Sequence, residues 1–151
     1  MNGRILNKLD QSIVGILQQD GRASNAKIAR LLAVSEGTIR RRLKRLVQQQ
    51  EVRILALPEP TAIGLSTEAL VAIQVDLDKL EEVANSLAAA PETMYVSITT
   101  GVFDIFAWVG VSSHEALQNF LLGTIGTIPG IKRSETFLHL SVKKRAFSPL
   151  H

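Results

Sequence analysis

A chain of 151 residues with 46% hydrophobic content is long enough to bury a real core, which excludes a disordered chain. It has no cysteine, which removes disulfides, thiol catalysis and thiolate metal sites, and no apolar run approaches a membrane span. The net charge of +3 is unevenly spread: residues 1–60 carry eleven Lys and Arg against five Asp and Glu, while residues 61–151 carry six against nine. A basic half joined to an acidic half predicts two jobs, and only the first half suits a polyanion.

The opening "MNGRILNKLDQS" lacks the apolar core of a signal peptide, so a cytoplasmic location is expected. Leu9, Ile13, Ile16 and Leu17 recur at helical spacing, with Asp10 as an acceptor for first-turn N–H groups and Gly21 as a left-handed stop. Gly15 weakens this helix and suggests a close packing contact. A second short helix starts at Ser24 and runs through Ile28, Ala29 and Leu32. After the interruption "AVS", Ser35 caps a third helix reaching about Gln50, with Ile39, Leu43, Leu46 and Val47 as its apolar stripe. Two short amphipathic helices around a very tight turn make a helix-turn-helix, here expected in a winged-helix-like domain over residues 1–50.

Residues 51–66 read as a linker. Val52, Ile54, Leu55 and Leu57 look like a short strand that Pro58 and Pro60 stop. The segment 67–151 then alternates strand and helix. "ALVAIQVD" is a strand. Asp78 and Glu81 form a capping box before Leu80, Val83, Ala84 and Leu87. "MYVSITTG" and "VFDIFAWVGV" are strands around a turn at Gly101. Ser112 and Glu115 form a second capping box before Ala116, Leu117, Phe120 and Leu121. "IKRSETFLHLSVKK" is the last strand, with Leu138, Leu140 and Val142 alternating on one face. The order βαββαβ is the ferredoxin-like arrangement, and the fold class is α+β.

On a helical wheel of the third helix, Gly37, Thr38, Arg41, Lys44 and Arg45 fall opposite the apolar stripe, with Arg40 and Arg42 on the flanks. Small residues at the N-terminal end let the outer face approach base edges in the major groove. Thr38 and Arg41 are therefore the expected base readers, Arg40 and Arg42 the phosphate contacts, and Ser35 with the helix N-terminus a phosphate holder. A charge-rich face is in other contexts simply solvated. The tight turn, the single acid Glu36 at the first turn and the confinement of the charge to this domain favour DNA.

The segment "LDQSIVGILQQDGRASNAKIARLLAVSEGTIRRRLKRL" resembles the N-terminal domain of the Lrp/AsnC family of bacterial and archaeal transcription regulators. The second half resembles the amino-acid-sensing domain of that family, with "TTGVFDIF" similar to its Gly-x-x-Asp turn. Three departures stand out: Ala33 and the pair Gln50–Glu51 where glycine is frequent, and Phe103 where tyrosine is frequent. The resemblance implies a prokaryotic, nucleoid-associated regulator that binds double-stranded DNA. It also implies homodimers assembling to octamers, and a small effector, commonly an amino acid, bound between dimers. Gly101 and Asp104 carry over as effector candidates, with Thr99 and Thr100 as neighbours and Thr136 as a further one. From the residues alone, Asp104 is an acid in an apolar stretch that needs a partner, and an effector ammonium or nearby backbone N–H groups serve equally. Gly101 is equally explained by a positive φ.

The histidines His114, His139 and His151 are scattered, and no Ser/His/Asp grouping, P-loop or dinucleotide loop appears. No enzyme activity, cofactor or metal is expected. The alternative function is an architectural protein that coats DNA without an amino-acid effector.

Overall fold

The computed structural model describes residues 5–145, which form two compact units, one built on residues up to Leu57 and the other on Pro58–Lys143. His151 lies outside the described residues.

The first unit has three helices, α1 (Lys8–Gln19), α2 (Asn25–Leu31) and α3 (Glu36–Gln48). Ile13, Ile28, Ala29 and Ile39 are its buried centre, and Leu9, Ile16, Leu17, Val34 and Leu43 pack around them. Ser24 and Ser35 cap α2 and α3 as expected, accepting from the N–H groups of Lys27 and Thr38. The start of α1 differs: Asn7 is its cap and accepts from the Asp10 N–H, while Asp10 is buried among other partners. The end differs too. Gly21 has no left-handed φ; instead the Asp20 carboxylate accepts from the Arg22 N–H and closes the turn. A Cβ on Gly15 would meet open space, so no close packing explains that glycine.

The tight turn between α2 and α3 is a Schellman motif built without glycine. The Val34 N–H donates to the Ala29 carbonyl, the Ala33 N–H reaches back toward Arg30, and Ala33 takes φ 53°. The same motif ends α3: Glu51 N–H to Leu46 O, Gln50 N–H to Val47 O, and Gln50 at φ 57°. A left-handed non-glycine residue costs about 1–2 kcal/mol, and glycine returns part of this as unfolded-chain entropy. Ala33→Gly and Gln50→Gly are each expected to stabilise the helical unit by about 0.5–1 kcal/mol, read as a raised denaturation midpoint.

The expected strand at Val52–Leu57 does not form: no ladder includes it, and Ile54, Leu55 and Leu57 are exposed. No strand occurs among the described residues of the first unit, so the three helices carry no wing.

The second unit begins with a 3₁₀ turn (Pro60–Ile63) and follows the order β1 (Thr67–Val75), α4 (Leu80–Ala89), β2 (Thr93–Ile98), β3 (Ile105–Val111), α5 (His114–Gly123), β4 (Ile131–Leu138). The antiparallel sheet is ordered β2-β3-β1-β4, the ferredoxin-like βαββαβ arrangement. Ala69, Val71 and Ile73 pair across to β3 and, with Val75, meet Val83, Leu87, Leu117 and Phe120 from the two helices. The alternate residues Leu70 and Ala72 face the other way, beside Phe106 and Trp108 of β3, Tyr95 of β2 and Phe137 of β4.

Three local expectations shift. Asp78 is not a cap, because a 3₁₀ turn (Leu77–Lys79) leads into α4 with no side-chain cap. Ser113, not Ser112, caps α5 by accepting from the Ala116 N–H. The last strand stops at Leu138, leaving Leu140 and Val142 exposed. The reason is that β1 begins at Thr67: after the His139 N–H reaches the Glu68 carbonyl, there is no further strand to pair with.

Candidate nucleic-acid interface and effector site

The helix α3 starts on a polar cap and ends on a Schellman turn, so its faces are fixed. Ile39 and Leu46 are fully buried. Thr38 is half-buried against the cap, with its Oγ1 2.9 Å from Ser35 Oγ and its N–H donating to that oxygen. Thr38 is therefore part of the helix start rather than of the outermost face. Gly37, Arg40, Arg41 and Lys44 are exposed, and among the described residues the three cations have no ion-pair partner. Gln48, which the sequence reading did not single out, continues this exposed stripe one turn beyond Lys44.

Arg42 and Arg45 are placed differently from expectation. Arg42 Nη1 donates to Asp10 Oδ1 at 3.0 Å, and Arg45 Nη2 to Asp10 Oδ2 at 2.5 Å. Asn7 Nδ2 also donates to Asp10 Oδ2, at 2.7 Å. The Asp10 side chain is only 1% exposed, whereas those of Arg42 and Arg45 are 29% and 35% exposed. Arg42 is thus not a flank free for phosphate, nor does Arg45 point outward with Arg41 and Lys44. Both fill the seam between α1 and α3. Burial raises the Asp10 pKa, but the hydrogen bonds and charges of Arg42 and Arg45 more than reverse this, and it lies below the ordinary aspartate value.

The effector candidates fall at two places in the second unit. The loop between β2 and β3 holds Thr99, Thr100, Gly101 and Asp104. Gly101 takes φ 118°, a region L side chains rarely enter. Asp104 is tied into the sheet end: its N–H donates to Ile73 O, its Oδ2 accepts from the Val75 N–H at 2.9 Å, and its carbonyl accepts from the Thr99 N–H. Thr99 Oγ1 donates to Phe103 O, and Gln74 Nε2 to Val102 O, which pins the loop onto β1. Thr100 is exposed. Asp104 therefore has a backbone partner at the end of β1. Thr136 lies elsewhere, on β4 opposite Val71, and lines an open groove of about 350 Å³ with Leu121, Ile125, Ile131 and Ser134.

His114 is a first-turn helix residue and His139 packs its ring edge-on to Trp108. No group of three or more His, Asp and Glu suited to a metal ion occurs among the described residues. No helix among them is long and apolar enough to cross a membrane.

A capped helix-turn-helix followed by a βαββαβ unit defines the class: a transcriptional regulator with a DNA-binding domain and a ligand-binding domain. Residues 6–47 match the AsnC-type helix-turn-helix domain, and residues 68–149 match the Lrp/AsnC ligand binding domain. An uncharacterized HTH-type transcriptional regulator of Pyrococcus furiosus is 41% identical over 145 residues, covering 95% of this chain and 98% of that protein. The HTH-type transcriptional regulator FL11 of Pyrococcus horikoshii is 34% identical over 140 residues, 92% of each chain. Among solved structures, E. coli AsnC superposes with a TM-score of 0.85 at 25% identity, covering 94% of this chain and 97% of that one. A transcriptional regulator of Neisseria meningitidis, solved as its L-Met complex, superposes with a TM-score of 0.87 at 26% identity, covering 95% and 96%. The chain belongs to the Lrp/AsnC family.

Proposed function

We propose that this regulator binds specific DNA sequences through α3 and that a small effector, an amino acid, sets its assembly or its DNA affinity. The observation that carries the reading is the exposed stripe of Gly37, Arg40, Arg41 and Lys44 on a helix held at both ends. In this reading Arg41 reads a base edge, Arg40 and Lys44 hold phosphates, and Ser35 and Thr38 fix the helix start, whose N–H groups favour a phosphate. The protein works in the cytoplasm on nucleoid DNA and does no chemistry on its ligands.

The effector part rests on the ligand-binding domain and on the L-Met complex of the Neisseria relative. We assign the ammonium to the Asp104 carboxylate, beside Thr99, Thr100 and Gly101, with Thr136 supplied from a neighbouring groove. The apolar sheet face of Leu70, Phe106, Trp108 and Phe137 supports a homodimer, and dimers assembling to octamers give the effector two states to choose between. Selection of duplexes from a random pool, repeated with each amino acid while light scattering follows particle mass, tests both parts. A selected consensus and a mass shift with at least one amino acid are expected. Binding without a consensus would make the protein an architectural coat, and no response to any amino acid would remove the effector.

Phe137→Glu places a charge on the half-exposed edge of that face. Its expected result is a particle of half or less the wild-type mass in light scattering, with α3 still folded and DNA affinity reduced through loss of the paired half-site contact.

A further inference from the structure

The α3 helix carries five cations, but they are not equivalent. Arg42 and Arg45 lie one turn apart, on the shoulder that faces α1. There they meet a carboxylate that is nearly inaccessible to water and that also holds Asn7, the cap of α1. Arg42 Nη1 sits 3.4 Å from Asn7 Oδ1 as well, so the node joins the start of α1 to the middle of α3. Arg45 extends it to Glu51, at 4.0 Å, just past the end of α3. The apolar centre of the unit is small: among the described residues Ile13, Ile28, Ala29 and Ile39 form its buried cluster, and Val14 and Leu46 are the other buried apolar side chains. Non-directional packing of so few side chains fixes the rotation of α3 about its own axis weakly. Two guanidinium groups, each bonded to a different oxygen of one carboxylate, fix it strongly, because each charge-assisted bond has a set direction.

We propose that Asp10 is a positioning residue for DNA binding: it locks the rotation of α3 on α1 and withdraws Arg42 and Arg45 from the phosphate-contacting charge. This rests on the reading of α3 as the DNA-contacting helix. The node works in two ways. It aims Arg40, Arg41 and Lys44 outward as a set, and it keeps two further arginines from gripping any duplex regardless of sequence. Each phosphate neutralised steepens the dependence of affinity on salt, so the two effects separate experimentally.

The test measures binding of the full chain to a selected duplex and to a random duplex over a salt series, for wild type, Arg40→Gln, Arg42→Gln and Asp10→Asn. Arg40→Gln is expected to flatten the log–log salt slope by about 0.9 per protomer. Arg42→Gln is expected to leave it unchanged. Asp10→Asn is expected to steepen it by up to about 1.8 per protomer as two arginines are released. It should also tighten binding to random DNA and lower the selected-to-random ratio about tenfold. A residue that served folding alone would lower both affinities together at constant slope, and that result from a folded Asp10→Asn protein overturns the proposal. Should Asp10→Asn not fold, Arg42→Gln decides alone: a slope loss equal to that of Arg40→Gln overturns the proposal, and an unchanged slope supports it. Failure of the wild-type chain to bind any duplex refutes instead the assignment of α3 to DNA.

Discussion

The double variant Arg42→Ala/Arg45→Ala is expected to lose about 3 kcal/mol of stability in the helical unit at neutral pH, the lower end of what stranding a buried charge costs. The lower end applies because the two guanidinium groups are themselves partly in solvent. The loss arises from Asp10, which is 1% exposed in the wild type and is left with only Asn7 to bond it. Either arginine alone leaves the other in place and should cost about 1–2 kcal/mol. Since a unit of this size has only a few kcal/mol of stability to lose, the double variant should melt near room temperature in its first unit. Trp108, the only tryptophan, lies in the second unit, so its fluorescence reports that unit while far-UV circular dichroism follows the loss of α1–α3.

The pH response should change sign between the two proteins. In the wild type the folded Asp10 pKa is lowered, so its stabilisation is fully present above the ordinary aspartate value and is lost as pH falls through the folded value. Without the guanidinium groups only burial remains, and burial raises the pKa. The folded variant then takes up a proton more readily than the unfolded chain. Acidification from neutral toward about pH 4 should therefore stabilise the variant, while this group leaves the wild type unchanged over that range. A variant that only weakens with acid would show that Asp10 is not the stranded charge.

What the sequence makes legible is what depends on neighbours. Ser24 and Ser35 cap because each hydroxyl reaches an N–H three residues on, and the stripes of Ile39 and Leu46 or Val83 and Leu87 follow from helical spacing. The departures Ala33 and Gln50, noticed as missing glycines, mark the two non-glycine residues that take a left-handed φ among the described residues. Partners far along the chain were not legible. Asp10 meets arginines 32 and 35 positions away, and wheel geometry alone sent Arg45 outward. A signal did exist: Asp10 stands in the same stripe as Ile13 and Leu17, so an acid on the buried face called for a cation from another helix. Gln48 was equally available, one turn beyond Lys44. Asp104 depended on sheet register, since only the pairing of β1 with β3 brings the Val75 N–H to its carboxylate. The alternation of Leu138, Leu140 and Val142 is sound as a pattern, but a strand also needs a partner, and β1 begins at Thr67, one residue from the Glu68 that His139 reaches.

Gly130 and Gly101 both take a positive φ, yet their alanine variants should differ about twofold in cost. At Gly101 (φ 118°) a Cβ would meet nothing within 4 Å, so only backbone strain opposes it, about 1–2 kcal/mol. At Gly130 (φ 94°) the added Cβ would lie 2.6 Å from Lys79 Cβ and 2.9 Å from Lys79 Cγ. These are the first atoms of a side chain, so swinging its end away gives no relief and the backbone must move. That backbone is held on both sides: the Asp76 N–H donates to Gly130 O at 2.8 Å, and Lys79 directly precedes α4, which carries Val83 and Leu87 into the core. Gly130→Ala is expected to cost about 3–4 kcal/mol, strain and overpacking together, seen as an early loss of the Trp108 signal in a denaturant series. Gly101→Ala should melt below wild type but well above Gly130→Ala, with the fold intact. Any larger change in its response to an amino acid would then come from the effector loop itself, because the fold that carries the loop is intact. Equal costs at the two glycines would mean that the Gly130 contact relaxes freely and that α4 is not held against the start of β4.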